Sequence, residues 1–319
     1  MKFLIGNLAA LVLLTTALDS GFAAERSPEK VRIAVSSKSL GFLDTWAAKE
    51  RGFFRKHGLD AEIIAMRPPL TIGALQAGEI DYAIGASTTS RGAISGAPVR
   101  IVSLSLRSSF HTLVTRPNIK TIADMKGKSV GINVFGSGIY GPMALLLKRN
   151  GVDAEKDIKL VETGFPASED AIRSGRVDVG VLNQPFAARA EAKGGLRKLF
   201  ALEDQQKNIV HIMEVCRKDF VDKNPGLVRS YVRDLTAGMG KAMANRDETL
   251  KVVSEVTKAP VAVLDTYLLK PNDFAREAGA KPNFDGIQAM LDIYAETGML
   301  AKKLDAQSFK HPTIVAPLQ

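Results

Sequence analysis

An internal repeat constrains this chain more than any other feature. "GLDAE" at 58–62 returns as "GVDAE" at 151–155, and "GEIDYAIG" at 78–85 returns as "GRVDVGVL" at 175–182. "APVRIV" at 97–102 is matched by "GGLRKL" at 194–199, and "SLGF" at 39–42 falls opposite "GSGI" at 136–139; these last three pairs share an offset of 97 residues. Each copy reads as a strand ("VRIAVS", "KSVGINV"), a polar loop containing glycine, a helix, a strand, a short helix and a strand opened by Gly-x-x-Asp. Strands that alternate with helices and are apolar throughout predict a mostly parallel sheet covered on both faces. The expected fold class is therefore α/β, with two such halves.

The loop "GSGIYG" at 136–141 has the G-x-G-x-x-G spacing of a dinucleotide-binding turn, between the strand "KSVGINVF" and the helix "PMALLLKRNG". Glu162 closes the next apolar run, "IKLVE", about 20 residues on, where such a fold places its ribose-binding acid. Two features argue against that reading. The loop has a counterpart in the other half, and Leu145 stands four residues after Gly141, where close helix packing wants Gly or Ala. Pro142 sits in the first helical turn, where its missing N–H costs nothing. What survives is the general chemistry of a helix start, whose free N–H groups favour an anion or polar acceptor. Two such loops, one per half, would face each other at the carboxyl ends of their strands, where open α/β sheets bind ligands.

The first 24 residues read as a secretory signal: Lys2, the apolar run "FLIGNLAALVLLTTAL", then "SGFAA", with cleavage expected after Ala23 or one residue later. The run is short for a membrane anchor and Asp19 interrupts its end. No cysteine lies near the cut, so a lipid anchor is not expected. Export to the periplasm argues against a nicotinamide enzyme, and no cofactor is expected. The single cysteine, Cys216, cannot form an internal disulfide and is expected as a small buried residue. The net charge of +9 is scattered, without a basic stripe interleaved with aromatics, which favours anionic solutes or membrane surfaces over nucleic acid.

The halves divide as lobe 1, residues 25–115 and 212–319, and lobe 2, residues 116–211. "FHTLVT" leaves the first half and "NIVHIMEVCRKDF" returns to it, and two crossing strands make a hinge. After the return the chain turns helical, punctuated by Pro225, Pro260 and Pro271.

In their order and spacing, "AAKERGFFRKHGLDAEI", "ALQAGEIDYAIG", "GAPVRIVSLS", "IADMKGKSVGI", "GSGIYGPMALLLKRNGVD", "SGRVDVGVLNQPFAARA" and "FVDKNPGLVRSYVRDL" resemble the periplasmic solute-binding proteins of ABC importers. The resembling branch binds nitrate, taurine, aliphatic sulfonates and thiamine pyrimidine precursors. The resemblance implies a type II periplasmic-binding fold, working as a monomer, that closes on a solute and delivers it to a membrane permease and its cytoplasmic ATPase. It places ligand loops at Ser36, Ser37, Ser39 and Phe42; at Arg67 and Thr71; at Ser87 and Thr88; at Ser137, Gly138 and Tyr140; and at Asn183, Gln184 and Phe186. Hydroxyls and amides can hold an oxyanion, and Arg67 would clamp a sulfonate or carboxylate. Phe42, Tyr140, Phe186 and Trp46 would cover an apolar body. Asp81 and Asp178 are expected to serve structure.

The expected function is thus capture of a small anionic organic solute, with a pyrimidine precursor as the alternative. An enzyme on the same fold is disfavoured. The pyrimidine-forming branch relies on a cysteine-rich segment, and here there is one cysteine. "KGKS" at 126–129 lacks the first glycine of a phosphate loop, since Ile122 stands there, and neither H-E-x-x-H nor G-x-S-x-G occurs. The four histidines, His57, His111, His211 and His311, are widely spaced and suggest no metal set. A sensor module would carry an output domain, and none is expected between the last helix and Gln319.

Overall fold

The computed structural model describes residues 28–37, 39–85, 92, 96–106, 109–204, 209–270, 273 and 282–312. The expected signal segment, and Ser87 and Thr88 among the expected ligand residues, lie outside these.

Ten strands form two five-stranded sheets: β1 Glu29–Val35, β2 Leu59–Ala65, β3 Tyr82–Ile84, β4 Val99–Leu106, β5 His111–Thr115, β6 Lys128–Ile132, β7 Ile158–Glu162, β8 Val179–Asn183, β9 Arg197–Ala201 and β10 Ile212–Arg217. The helices are α1 Leu43–Glu50, α2 Phe53–Lys56, α3 Thr71–Ala77, α4 Tyr140–Arg149, α5 Phe165–Arg173, α6 Phe186–Ala192, α7 Lys218–Lys223, α8 Pro225–Ala244, α9 Arg246–Thr257, α10 Val261–Asp265 and α11 Phe284–Glu296. Among the described residues no helix is long and apolar enough to cross a membrane.

The sheets run β2-β1-β3-β10-β4 and β7-β6-β8-β5-β9. The repeat is therefore a topological one. The first three strands of each list are parallel, and a single antiparallel strand sits before the last. That inserted strand is exchanged: β10 comes back from beyond the second sheet to complete the first, and β5 leaves the first half to complete the second. Residues 111–115 were expected in lobe 1; β5 instead hydrogen-bonds to β8 and β9. A strand buried on both faces is as suited to one sheet as to the other, and only its antiparallel partners decide which.

Central strands are buried on both faces, as in β8, where all five residues are buried. The outer strand β2 alternates buried and exposed over its first half, as a sheet edge does. In lobe 1, α1, α2 and α8 cover one face of the sheet, and α3 and α11 the other. In lobe 2, α4 covers one face, and α5 and α6 the other. The helical stretch after the first loop breaks at Gly52, whose φ of 71° starts a second short helix. Cys216 is buried opposite Tyr82, and burial pushes its thiol pKa well up, so it packs rather than reacts.

Gly-x-x-Asp has one job in both halves. Gly78 and Gly175, at φ 72° and 78°, end their helices in the left-handed region. Three residues later the aspartate bridges to the first strand of its half. Asp81 accepts from the Arg32 N–H at 2.8 Å and Asp178 from the Ser129 N–H at 2.9 Å. Each also donates its own N–H to the carbonyl of the same residue, at 2.9 Å and 3.0 Å. Burial raises the Asp178 pKa, but the Ser129 N–H and hydroxyl and the Arg116 guanidinium outweigh it, so the carboxyl is held below its usual range. Asp178→Ala should cost about 1.5–3 kcal/mol, the worth of charged hydrogen bonds. The wild-type advantage should be full above the unfolded carboxyl pKa and fade as pH falls through the lower folded one. Denaturant unfolding of both proteins from neutral to acid pH measures it.

Candidate functional site

The carboxyl ends of both sheets meet across a cleft of roughly 550 Å³, counting its open mouth. Lobe 1 contributes Ser36 after β1, Phe42 from a 3-10 turn (Leu40–Phe42), Met66 and Pro68 after β2, and Thr71. Lobe 2 contributes Asn133 after β6, Ser137, Gly138 and Ile139 from the glycine loop, Phe165, and Asn183 at the end of β8. Six of these fall in three pairs at the repeat's offset of 97: Ser36 with Asn133, Phe42 with Ile139, and Pro68 with Phe165. The crossing segments close the floor with Phe110, His111, His211 and Ile212.

The floor is an aromatic cluster. The His111 and His211 rings lie 4.9 Å apart, centroid to centroid; Phe110 is 4.5 Å from His111, and Phe165 is 5.4 Å from it. Burial pushes the His211 imidazole down to about 4. Burial, with His211 beside it, also lowers His111 well below the ordinary histidine value. Both rings are therefore neutral at pH 7, each with one N–H donor and one acceptor nitrogen. His111 pairs across the sheet with Asn183, so imidazole and amide share one level. The Ser137 hydroxyl, the Asn183 carbonyl oxygen and His211 Nδ1 are buried with no partner among the described residues. Each such atom costs about 1–3 kcal/mol until something pairs with it.

Of the residues expected at a ligand, Ser36, Phe42, Thr71, Ser137, Gly138 and Asn183 line this cleft. Thr71 has its hydroxyl turned to the Pro68 carbonyl at 2.8 Å. The other described ones are elsewhere. Arg67 is exposed and pairs with Glu162 of lobe 2 at 3.1 Å, so it is directed at that carboxylate and does not line the cleft. Glu162 also accepts from the Phe135 N–H at 2.6 Å, which makes it an anchor of the glycine loop rather than a ribose ligand. Tyr140 packs on the lobe 2 core, and the Gln184 side chain accepts from the Ala188 N–H to start α6. Phe186 is in the core beneath Arg189. Ser37 stands beside the cleft without lining it, while Ser39 and Trp46 line a separate groove.

Asn133, Phe165, His111 and His211 were not among the expected residues. The repeat offset applied to Ser36 and Pro68 points to the first two. The histidines occupy matching places, each after an apolar residue at the head of a crossing segment ("FHTLVT", "VHIMEV"). The other two serve structure: His57 pairs with Asp234 and His311 with Asp222. Among the described residues, no three metal-ligating side chains come together.

The lobes are bonded to each other around the cleft. The Leu40 N–H donates to the Gln184 carbonyl at 3.4 Å, and the Tyr294 hydroxyl of α11 donates to the Gly138 carbonyl at 2.9 Å. A Cβ on Gly141 would lie 2.6 Å from the Tyr294 ring. The third glycine of G-x-G-x-x-G thus admits a neighbouring helix, not a pyrophosphate.

Acid should weaken this floor. An unfolded histidine takes up its proton near the ordinary value of 6.5, whereas folded His211 does so only near 4. Stability should therefore fall as pH drops through that window, by about 3 kcal/mol for His211. Denaturant unfolding of wild type and His211→Asn between neutral pH and the onset of acid unfolding checks it: the gap between them should change with pH in that sense.

A Brucella abortus protein named as a binding protein is 25% identical over 310 residues, 94% of this chain and 95% of its own. The taurine-binding periplasmic protein of Escherichia coli is 24% identical over 80% of this chain and 76% of its own. The fold is that of the alkanesulfonate-binding protein SsuA of Xanthomonas axonopodis pv. citri, solved with MOPS bound; the TM-score is 0.75 at 19% identity, covering 89% of this chain and 99% of that one. A family model described as NMT1/THI5 like matches residues 41–249, and the chain belongs to that family.

Proposed function

We propose that the chain is a periplasmic solute-binding protein of an ABC importer, which traps one small organic molecule between its lobes and releases it to a membrane permease. The observation that carries this reading is the cleft itself, with unpartnered Ser137, Asn183 and His211 atoms facing a space that closes by interlobe bonds. Its work is binding, not catalysis, as in the relatives named for what they bind.

The walls favour a flat solute with a hydrogen-bonding edge. Phe42, Phe110 and Phe165 offer ring faces, and neutral His111, His211, Asn133 and Asn183 offer both donors and acceptors. The cation expected to clamp an anionic head, Arg67, is held by Glu162. A neutral heteroaromatic solute fits this better than a sulfonate. The likeness to the taurine-binding protein supports the second reading, a small sulfonate held by hydroxyls and amides alone.

Thermal unfolding against pyrimidines, aromatic amides, alkanesulfonates and taurine separates the two. A solute at about 100 times its Kd adds about 2.7 kcal/mol of stability. Flat heteroaromatics should raise the Tm, and Asn183→Leu should abolish that rise without lowering the unliganded Tm. A rise with sulfonates alone supports the second reading. A flat response to all four classes contradicts both.

A further inference from the structure

We propose that the groove between α1 and α9 is a second ligand site, which takes a small uncharged molecule with an apolar body and one hydroxyl or carbonyl group, and that its occupancy is coupled to closure of the cleft. The groove holds roughly 670 Å³, counting its open side. It is lined on the α1 side by Leu43 and Trp46 and on the α9 side by Val252, Val253 and Val256. These are helical i, i+3 and i+4 positions, so two apolar stripes face each other. Facing stripes ordinarily interdigitate. Here one end is propped, because Arg51, just past α1, reaches Glu248 at 3.3 Å and the Thr249 hydroxyl at 3.1 Å on α9. The space between is left without the contacts a packed pair would make.

Two polar groups within it point to the chemistry of the occupant. The Trp46 indole Nε1 is buried and has no partner among the described residues, and it can only donate. Ser39 is 2% exposed, and its hydroxyl is likewise buried and unpartnered. An acceptor oxygen on an apolar body satisfies the indole, and the serine can give or take a second bond. The charges at the mouth favour a neutral molecule: Arg51 is paired with Glu248, and Glu50 beside it is an exposed acid.

The coupling runs through one turn. Ser39 and Leu40 line the groove, while Phe42, at the other end of the same 3-10 turn, lines the cleft. The Leu40 N–H is one of the bonds to lobe 2. A molecule seated against Ser39 and Leu40 holds that turn in the geometry that closure needs, and closure in turn favours the molecule.

Trp46 is the chain's one tryptophan, so its emission reads this groove and not the cleft. Benzyl alcohol should shift that emission saturably, about fivefold or more tighter than toluene, the same ring without the hydroxyl. Val252→Phe, which fills the groove from a half-exposed position, should abolish saturation without lowering the Tm, and Ser39→Ala should bring the two probes together. Benzyl alcohol should also slow hydrogen exchange of the Leu40 amide several-fold in wild type and not in Val252→Phe. If Val252→Phe fails to fold, Val256→Phe takes its place. A response that never saturates, or saturation that survives the filling variant, overturns the site. Saturable binding with unchanged exchange at Leu40 overturns the coupling.

Discussion

Each sheet is completed by a strand that the chain reaches only by crossing from the other half, and the rest of the molecule depends on that exchange. β5 joins the second sheet and β10 the first, each as the one antiparallel member beside three parallel strands. Neither half has a full sheet without the other half's passage. The crossing segments meet at Phe110, His111 and His211, whose rings pack on one another. Under the proposed function, hinge and cleft floor are the same residues, so a rotation of the lobes would move the groups a solute touches.

That arrangement sets three unpaired polar groups around one cleft. Ser137, Asn183 and His211 each have an atom with no partner among the described residues, a cost that a solute bonding there would relieve. Around them the closing bonds are all satisfied. The Gly138 carbonyl is taken by Tyr294, the Gln184 carbonyl by Leu40, and Glu162 serves both the Phe135 N–H and Arg67. The glycine loop is thus the point where lobe 2 meets α11, with Gly141 cleared for the Tyr294 ring.

The sequence carried the architecture because repeats act on backbone. The 97-residue offset recovers the paired strand orders, and Asp81 and Asp178 hold equivalent strands by equivalent bonds. Six of the expected ligand residues reach the cleft because they sit at strand ends and loops, which topology alone brings together. What escaped was side-chain direction and pairing between distant elements. Arg67 looks like a free cation until Glu162, 95 positions away, is placed opposite. Trp46 lies near Phe42 in the chain, yet a helical turn aims it into a different groove. His111 and His211 stand 100 residues apart, and only the exchange of β5 and β10 makes them neighbours. The placement of β5 itself was missed for the same reason.

Under the proposed function two lobes close over one cleft, and the distance between its rims measures that closure. Leu70 and Phe135 are exposed, one on each lobe beside the mouth, and the chain's own cysteine is buried. Spin labels on Leu70→Cys and Phe135→Cys should give one short, narrow distance with saturating solute and a longer, broader distribution without it. The same distribution in both conditions would contradict a clamp that closes on what it carries.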